Sequence, residues 1–228
     1  MKNTEKRSDA IKRMSVIGMF CALAYVCVCV FRIKVSFLTL DIKDAVITAS
    51  AMMLGPIAGV IISLIVAFIE MITISDTVYY GFLMNFLSSA TFSLVASFVY
   101  RRKKTLFCAI TGLMLGVISV TAVMMLANLF ITPYYMGVPR GEVVKLIPKL
   151  LLPFNLLKAL LNSALVMIIY KPISTALKRA KLLKRSDADE RKHVFDRKSL
   201  IITLAATALL ALCLVVFFVV LKAKIDLF

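Results

Sequence analysis

Asn155 and Lys158 stand three residues apart, so a helix running through them presents both on one face. An amide donates and accepts hydrogen bonds, and an ammonium group donates up to three. Both lie in Leu150–Tyr170, where Lys158 is the one charged residue. Further polar side chains interrupt other apolar runs: Glu70, Asn85 and Asn128. The segment Val35–Asp44 adds Thr39, Leu40, Asp41, Lys43 and Asp44. Ionisable and amide groups at membrane depth are costly, and they usually face a bundle interior or a water-filled cavity. Each also has a plainer reading. Asn155 and Lys158 can cap a helix and snorkel to the interface, and Asn128 can serve a single interhelical hydrogen bond. Glu70 can face the interface or pair with a loop lysine. Asp41 and Asp44 flank a helix start, where carboxylates suit the dipole whatever else they do.

The setting for these groups is lipid. Of 228 residues 61% are hydrophobic and 18% charged, against about 45–50% and about 25% in soluble domains. Uncharged runs cover 14–31, 45–69, 77–100, 105–139 and 199–221, and about 20 apolar residues span a bilayer core as a helix. The chain reads as an all-α integral membrane protein, with no cleaved signal peptide. The five cysteines lie inside apolar runs without metal-ligand spacing. No phosphate loop or zinc-protease motif occurs, and the lone histidine, His193, sits in a basic segment, so no catalytic set is assembled and no enzyme is expected.

Parity of the basic residues orders the spans. The run from Ala45 to Ile74 is too long for one ordinary span, and Gly55-Pro56 interrupts it as a helix stop followed by a new start. If that is a turn, the spans read 13–31, 42–54, 56–74, 81–100, 106–131, 151–177 and 199–221. With the N-terminus inside, nineteen Lys and Arg then fall inside and eight outside, with Lys158 within a span. A mere kink would put Arg101–Lys104 outside, against the positive-inside rule. The polar groups above then gather in the outer half, with the inner half nearly all apolar. That is the pattern of a pocket open to the outside. The expected organisation is a cytoplasmic N-terminus (1–12), a six-helix core (13–178), a basic cytoplasmic linker (179–198) and a seventh transmembrane helix with a short tail (199–228), its C-terminus outside. Gly18/Ala22 and Gly112/Gly116 are small-xxx-small pairs, for which internal helix packing is the default reading.

The segments Leu40-Asp-Ile-Lys-Asp44, Leu54-Gly-Pro-Ile-Ala-Gly59, Met84-Asn-Phe86 and Tyr100-Arg-Arg-Lys-Lys-Thr105 resemble the substrate-binding S-components of energy-coupling factor transporters. Asn128…Pro133 and Pro153-Phe-Asn-Leu-Leu-Lys158 resemble the riboflavin branch in particular. The resemblance covers about residues 10–178. It implies a six-helix vitamin-binding protein that works with a transmembrane coupling protein and two ABC-type ATPases. Riboflavin would be transported ligand rather than cofactor. It further implies that Asn128, Asn155 and Lys158 contact the flavin with backbone help from the first outer loop, and that Gly18 and Ala22 pack against the coupling protein. The seventh helix departs from the six-helix pattern. Two other readings stay open: an S-component for another vitamin or modified base, and a membrane scaffold without a ligand.

Overall fold

The computed structural model describes residues 2–35, 38–75, 77–180 and 182, with a few positions between 205 and 215. The linker at 179–198 and the seventh helix at 199–221 therefore lie almost wholly outside the described residues. The apolar runs become helices: α1 (Lys2–Val30), α2 (Lys43–Leu54), α3 (Pro56–Thr73), α4 (Val78–Lys103), α5 (Leu106–Met136) and α7 (Leu152–Arg179), with a short α6 (Arg140–Leu146) between the last two. Between α1 and α2 the chain forms a small antiparallel hairpin, β1 (Ile33–Val35) and β2 (Leu38–Leu40), pairing Ile33 with Leu40 and Val35 with Leu38. The hairpin occupies a stretch expected to be an irregular outer loop, and α6 lies outside the expected spans.

Five helical segments among the described residues are long and apolar enough to cross a membrane: 9–30, α3, α4, α5 and the continuous stretch 140–179. Of the six spans expected before the linker, the one at 42–54 falls short of this length. At 12 residues, α2 is about 18 Å long, well short of the ~30 Å hydrocarbon core. It is instead the central element, packed by α1, α3, α4 and α7. Every residue from Lys43 to Met52 is buried.

The turn at Gly55 is real and is built as the residue types require. Gly55 adopts φ +115°, and its N–H donates to the Ala51 carbonyl at 2.8 Å. A side chain is strained at that φ, and a Cβ there would also run into the Arg101 guanidinium. Pro56 then opens α3, where its missing N–H costs nothing. Arg13 reaches across from α1 to donate to the Leu54 carbonyl at 3.3 Å, so α1, the turn and α4 meet at this end. At this same end, just past α4, Lys104 takes a left-handed conformation, and Thr105 caps α5 by accepting from the Cys108 N–H. These two residues make the tight reversal between the longest neighbouring helices.

Packing among the described residues is shared by three apolar clusters, one of them joining Leu40 to α7. Phe92, Ala96, Leu113 and Val117 lie between α4 and α5, while Val16, Phe20, Ile47, Ile62 and Val66 join α1, α2 and α3. Gly112 and Gly116 allow the α4–α5 contact. A Cβ on Gly112 would sit 2.7 Å from the Ala96 carbonyl oxygen, and one on Gly116 would sit 3.0 Å from the Phe92 ring. Gly18 has nothing within 4 Å of such a Cβ, and both it and Ala22 are exposed on α1. The internal-packing default therefore holds for one small pair and fails for the other. The half of the bundle toward Gly55 is also less apolar than expected. Thr48, Ser63, Ser93 and Ser97 are all buried there, and Ser63, Ser93 and Ser97 bond carbonyls of their own helices.

Gly112→Val should lower the unfolding temperature in detergent, at an overpacking cost of about 1–3 kcal/mol. Gly18→Val should change stability by less than about 1 kcal/mol, since only helix propensity alters. Comparable losses at the two positions would contradict the packing described.

Candidate functional site

The hairpin delivers the chain into α2 through Asp41, and its last residue decides how. Leu40 is buried against Phe154, Leu157 and Leu161 of α7, which draws the polar residues after it inward. Asp41, Lys43 and Asp44 consequently sit at the start of α2 with 2%, 1% and 4% exposure. Charges in so dry a place must be paired and hydrogen-bonded. The partners come from three other helices.

From α7, Lys158 donates to the Asp41 carboxylate at 2.8 Å and to the Thr39 carbonyl at 3.3 Å, and lies 3.9 Å from Asp44. From α3, Glu70 accepts from Lys43 through both carboxylate oxygens, at 2.8 and 2.6 Å. From α4, Asn85 donates to Glu70 at 2.7 Å, and the Ser89 hydroxyl donates to Asp44. Burial opposes the charge of Asp41, which lies in the loop before α2. The neighbouring Lys158 and Lys43 ammonium groups outweigh it and hold that carboxyl below the usual carboxylate range.

Asn162 completes the clamp on the loop. Its carbonyl oxygen accepts from the Ala45 N–H at 2.8 Å, and its amide donates to the Asp41 carbonyl at 3.1 Å and the Lys158 carbonyl at 3.0 Å. One turn of π-helix, Ile147–Leu151, runs straight into α7, and Asn155 donates back to Leu151 at 2.8 Å. On α5, Asn128 is fully buried, donating to the Met124 carbonyl and accepting from the Thr132 hydroxyl. Asn128 and Asn155 each still keep an unused N–H and a carbonyl lone pair.

These groups border a cavity of about 120 Å³ at the hairpin end of the bundle, far more than the roughly 10–15 Å³ needed by one water. Seven of the sequence-derived residues line it: Thr39, Asp41, Glu70, Asn85, Asn128, Asn155 and Lys158. Two do not. Leu40 is packed under the hairpin, and Asp44 borders a smaller void alongside, with Ser88, Asn155, Lys158 and Asn162. The apolar walls are Val28, Leu38, Met84, Met124 and Phe154, with Tyr80 and Tyr135 beside them. Few fixed polar groups among apolar walls is the usual make-up of a small-molecule pocket.

From the sequence, Lys43 is one of the outer-loop polar groups and a loop lysine with which Glu70 can pair, whereas Asn162 goes unassigned. The second was within reach: Asn155, Lys158 and Asn162 follow the i, i+3, i+7 spacing of one helix face. Lys43 offered no such signal, because its burial depends on Glu70, which is 27 positions away. Among the described residues no cluster of metal-ligating side chains occurs.

The profile of the family "ECF transporter, substrate-specific component" matches residues 12–170, the helices that build this pocket. The chain belongs to that family. It is 30% identical over 178 residues to the riboflavin transporter RibU of Staphylococcus aureus (strain TCH60), spanning 74% of this chain and 93% of the relative. Among solved structures it resembles the S component of a bacterial ECF transporter, with a TM-score of 0.64 and 29% identity, over 75% of this chain and 99% of that one. The protein is thus a multi-pass membrane component of a transporter. As a family member its role is substrate binding rather than catalysis, and its buried polar cluster belongs to the segment that the relatives share.

Asn162→Ala should lower stability by about 1–3 kcal/mol, since the buried Asp41 carbonyl loses its amide donor. Thermal unfolding in detergent would measure this. A loss under about 0.5 kcal/mol, within the scatter of ordinary surface substitutions, would show that the loop is held without the clamp.

Proposed function

We propose that this S-component captures riboflavin at the hairpin end and delivers it across the membrane with an energy-coupling module. That module would comprise a transmembrane coupling protein and two ABC-type ATPases. The observation that carries the reading is the juxtaposition of Asn128, Asn155 and Lys158 on one apolar-walled cavity, in a chain 30% identical to a riboflavin transporter. The pyrimidine edge of an isoalloxazine has two carbonyls and an imide N–H. Two amides with spare donors and acceptors, and an ammonium with a third proton, match that edge. The apolar body of the ring suits Met124, Phe154 and the neighbouring walls.

Placing the hairpin end outside follows from the distribution of basic residues. Arg101–Lys104 lie at the opposite end, and cytoplasmic loops collect Lys and Arg. No phosphate-binding loop occurs in the chain, so ATP hydrolysis falls to partner subunits. Gly18 and Ala22, exposed on α1 with room for close approach, are the proposed contact with the coupling protein.

Riboflavin titration of detergent-purified protein, followed by flavin fluorescence, tests the pocket. Saturable quenching is expected, weakened roughly ten- to hundredfold by Lys158→Ala, as for a lost hydrogen bond from a charged group. No quenching by folded wild type would sink the assignment to riboflavin while leaving family membership intact. Separately, Gly18→Leu/Ala22→Leu should keep riboflavin binding but abolish co-purification with the coupling protein. Assembly unchanged by those two substitutions would place the contact elsewhere.

A further inference from the structure

Lys43 is the most deeply buried cation of the pocket region, with 1% exposure, yet it does not border the cavity. Its hydrogen bonds go to a group that does, Glu70, whose two carboxylate oxygens it grips. Asn85 adds a third donor to the same carboxylate. Three donors on two oxygens match an ionised carboxylate, which has about four acceptor positions. One position is left over, and Glu70 lines the cavity. Beside it on the same wall stand Ser75, Thr77 and Asn85. This α3–α4 wall is therefore polar and rich in acceptors, whereas Asn128, Asn155 and Lys158 come from α5 and α7.

Resting on the riboflavin reading, we propose that Lys43 is a positioning residue that fixes Glu70 as a charged acceptor for the ligand's polyhydroxyl chain, and so selects flavins that carry that chain. An O–H donated to a carboxylate makes a short, strong, charge-assisted hydrogen bond. The ring contributes no hydroxyl, so it gains nothing from Glu70. Without Lys43, the Glu70 carboxylate loses the cation that is hydrogen-bonded to both its oxygens and orients it, and its contribution to selectivity goes with it. Asp41, 3.9 Å from Lys43, keeps Lys158 as its close partner and stays with the other wall.

The test compares riboflavin with lumiflavin, which has the same ring with a methyl group in place of the polyol. The full chain in detergent is titrated as wild type, Lys43→Met, Glu70→Gln, Lys43→Met/Glu70→Gln and Lys43→Arg. Riboflavin affinity should fall roughly ten- to hundredfold in the first three variants, the range for a lost hydrogen bond to a charged group, with lumiflavin affinity nearly constant. Lys43→Arg should restore most of the preference. The double variant leaves no unpaired charge, so it carries the test if Lys43→Met does not fold. Parallel loss for both ligands would overturn the proposal by showing that Lys43 merely supports the fold. An unchanged riboflavin-to-lumiflavin ratio would overturn it as well, with the riboflavin reading intact. Folded wild type that binds neither flavin would overturn both.

Discussion

Everything at the hairpin end depends on pairing charges that the fold has taken out of water. Asp41, Lys43, Asp44, Glu70 and Lys158 are all buried, and an unpaired ion in such a place is costly. The solution draws in four helices, because no single helix could supply complementary charges at those depths. Asp41 takes Lys158 from α7, Lys43 takes Glu70 from α3, and α4 contributes Asn85 to Glu70 and Ser89 to Asp44. The pocket walls are thus cross-linked before any ligand arrives. Such pairs add little net stability, but breaking one strands its partner, which favours one arrangement of the helices over its alternatives.

This network in turn explains the unusual α2. A 12-residue helix buried on all sides gains little from lipid contact, and its carboxylates and lysine would be out of place in a span exposed to hydrocarbon. Its position is set by two short connections: the hairpin with Leu40 tucked under α7, and the Gly55 turn held by Arg13. The result puts a helix start, with its charged residues, beside the cavity. The bundle around it supplies the membrane-crossing length.

Small residues serve two different purposes in the same molecule. Gly112 and Gly116 are consumed by the contact of α5 with α4. Gly18 and Ala22 stay open on α1, although their spacing in the sequence is the same. The difference lies in the rotation of each helix about its axis, and that rotation follows the core residues. Val16, Phe20 and Ala24 turn one face of α1 inward and leave the small pair on the other.

The helical class, the apolar segments and the Gly55 break were legible in the sequence because they are local. Run length, missing charge and backbone preference act within a few residues, and lipid demands helices in any case. The polar groups Asn128, Asn155 and Lys158 could be picked out for a related reason, since any such group in an apolar run is conspicuous. Tertiary structure alone decided that α2 is a buried centre rather than a full span, and that Leu40 and Asp44 stand back from the cavity. It also decided that Lys43 is an interior cation. Those outcomes depend on which side chains meet across the bundle, where Lys43 finds Glu70 and Asn162 finds the Asp41 loop, at separations of 27 and 121 positions. Local propensity carries no information over such distances, whereas a dry interior imposes complementarity on whatever groups packing brings together.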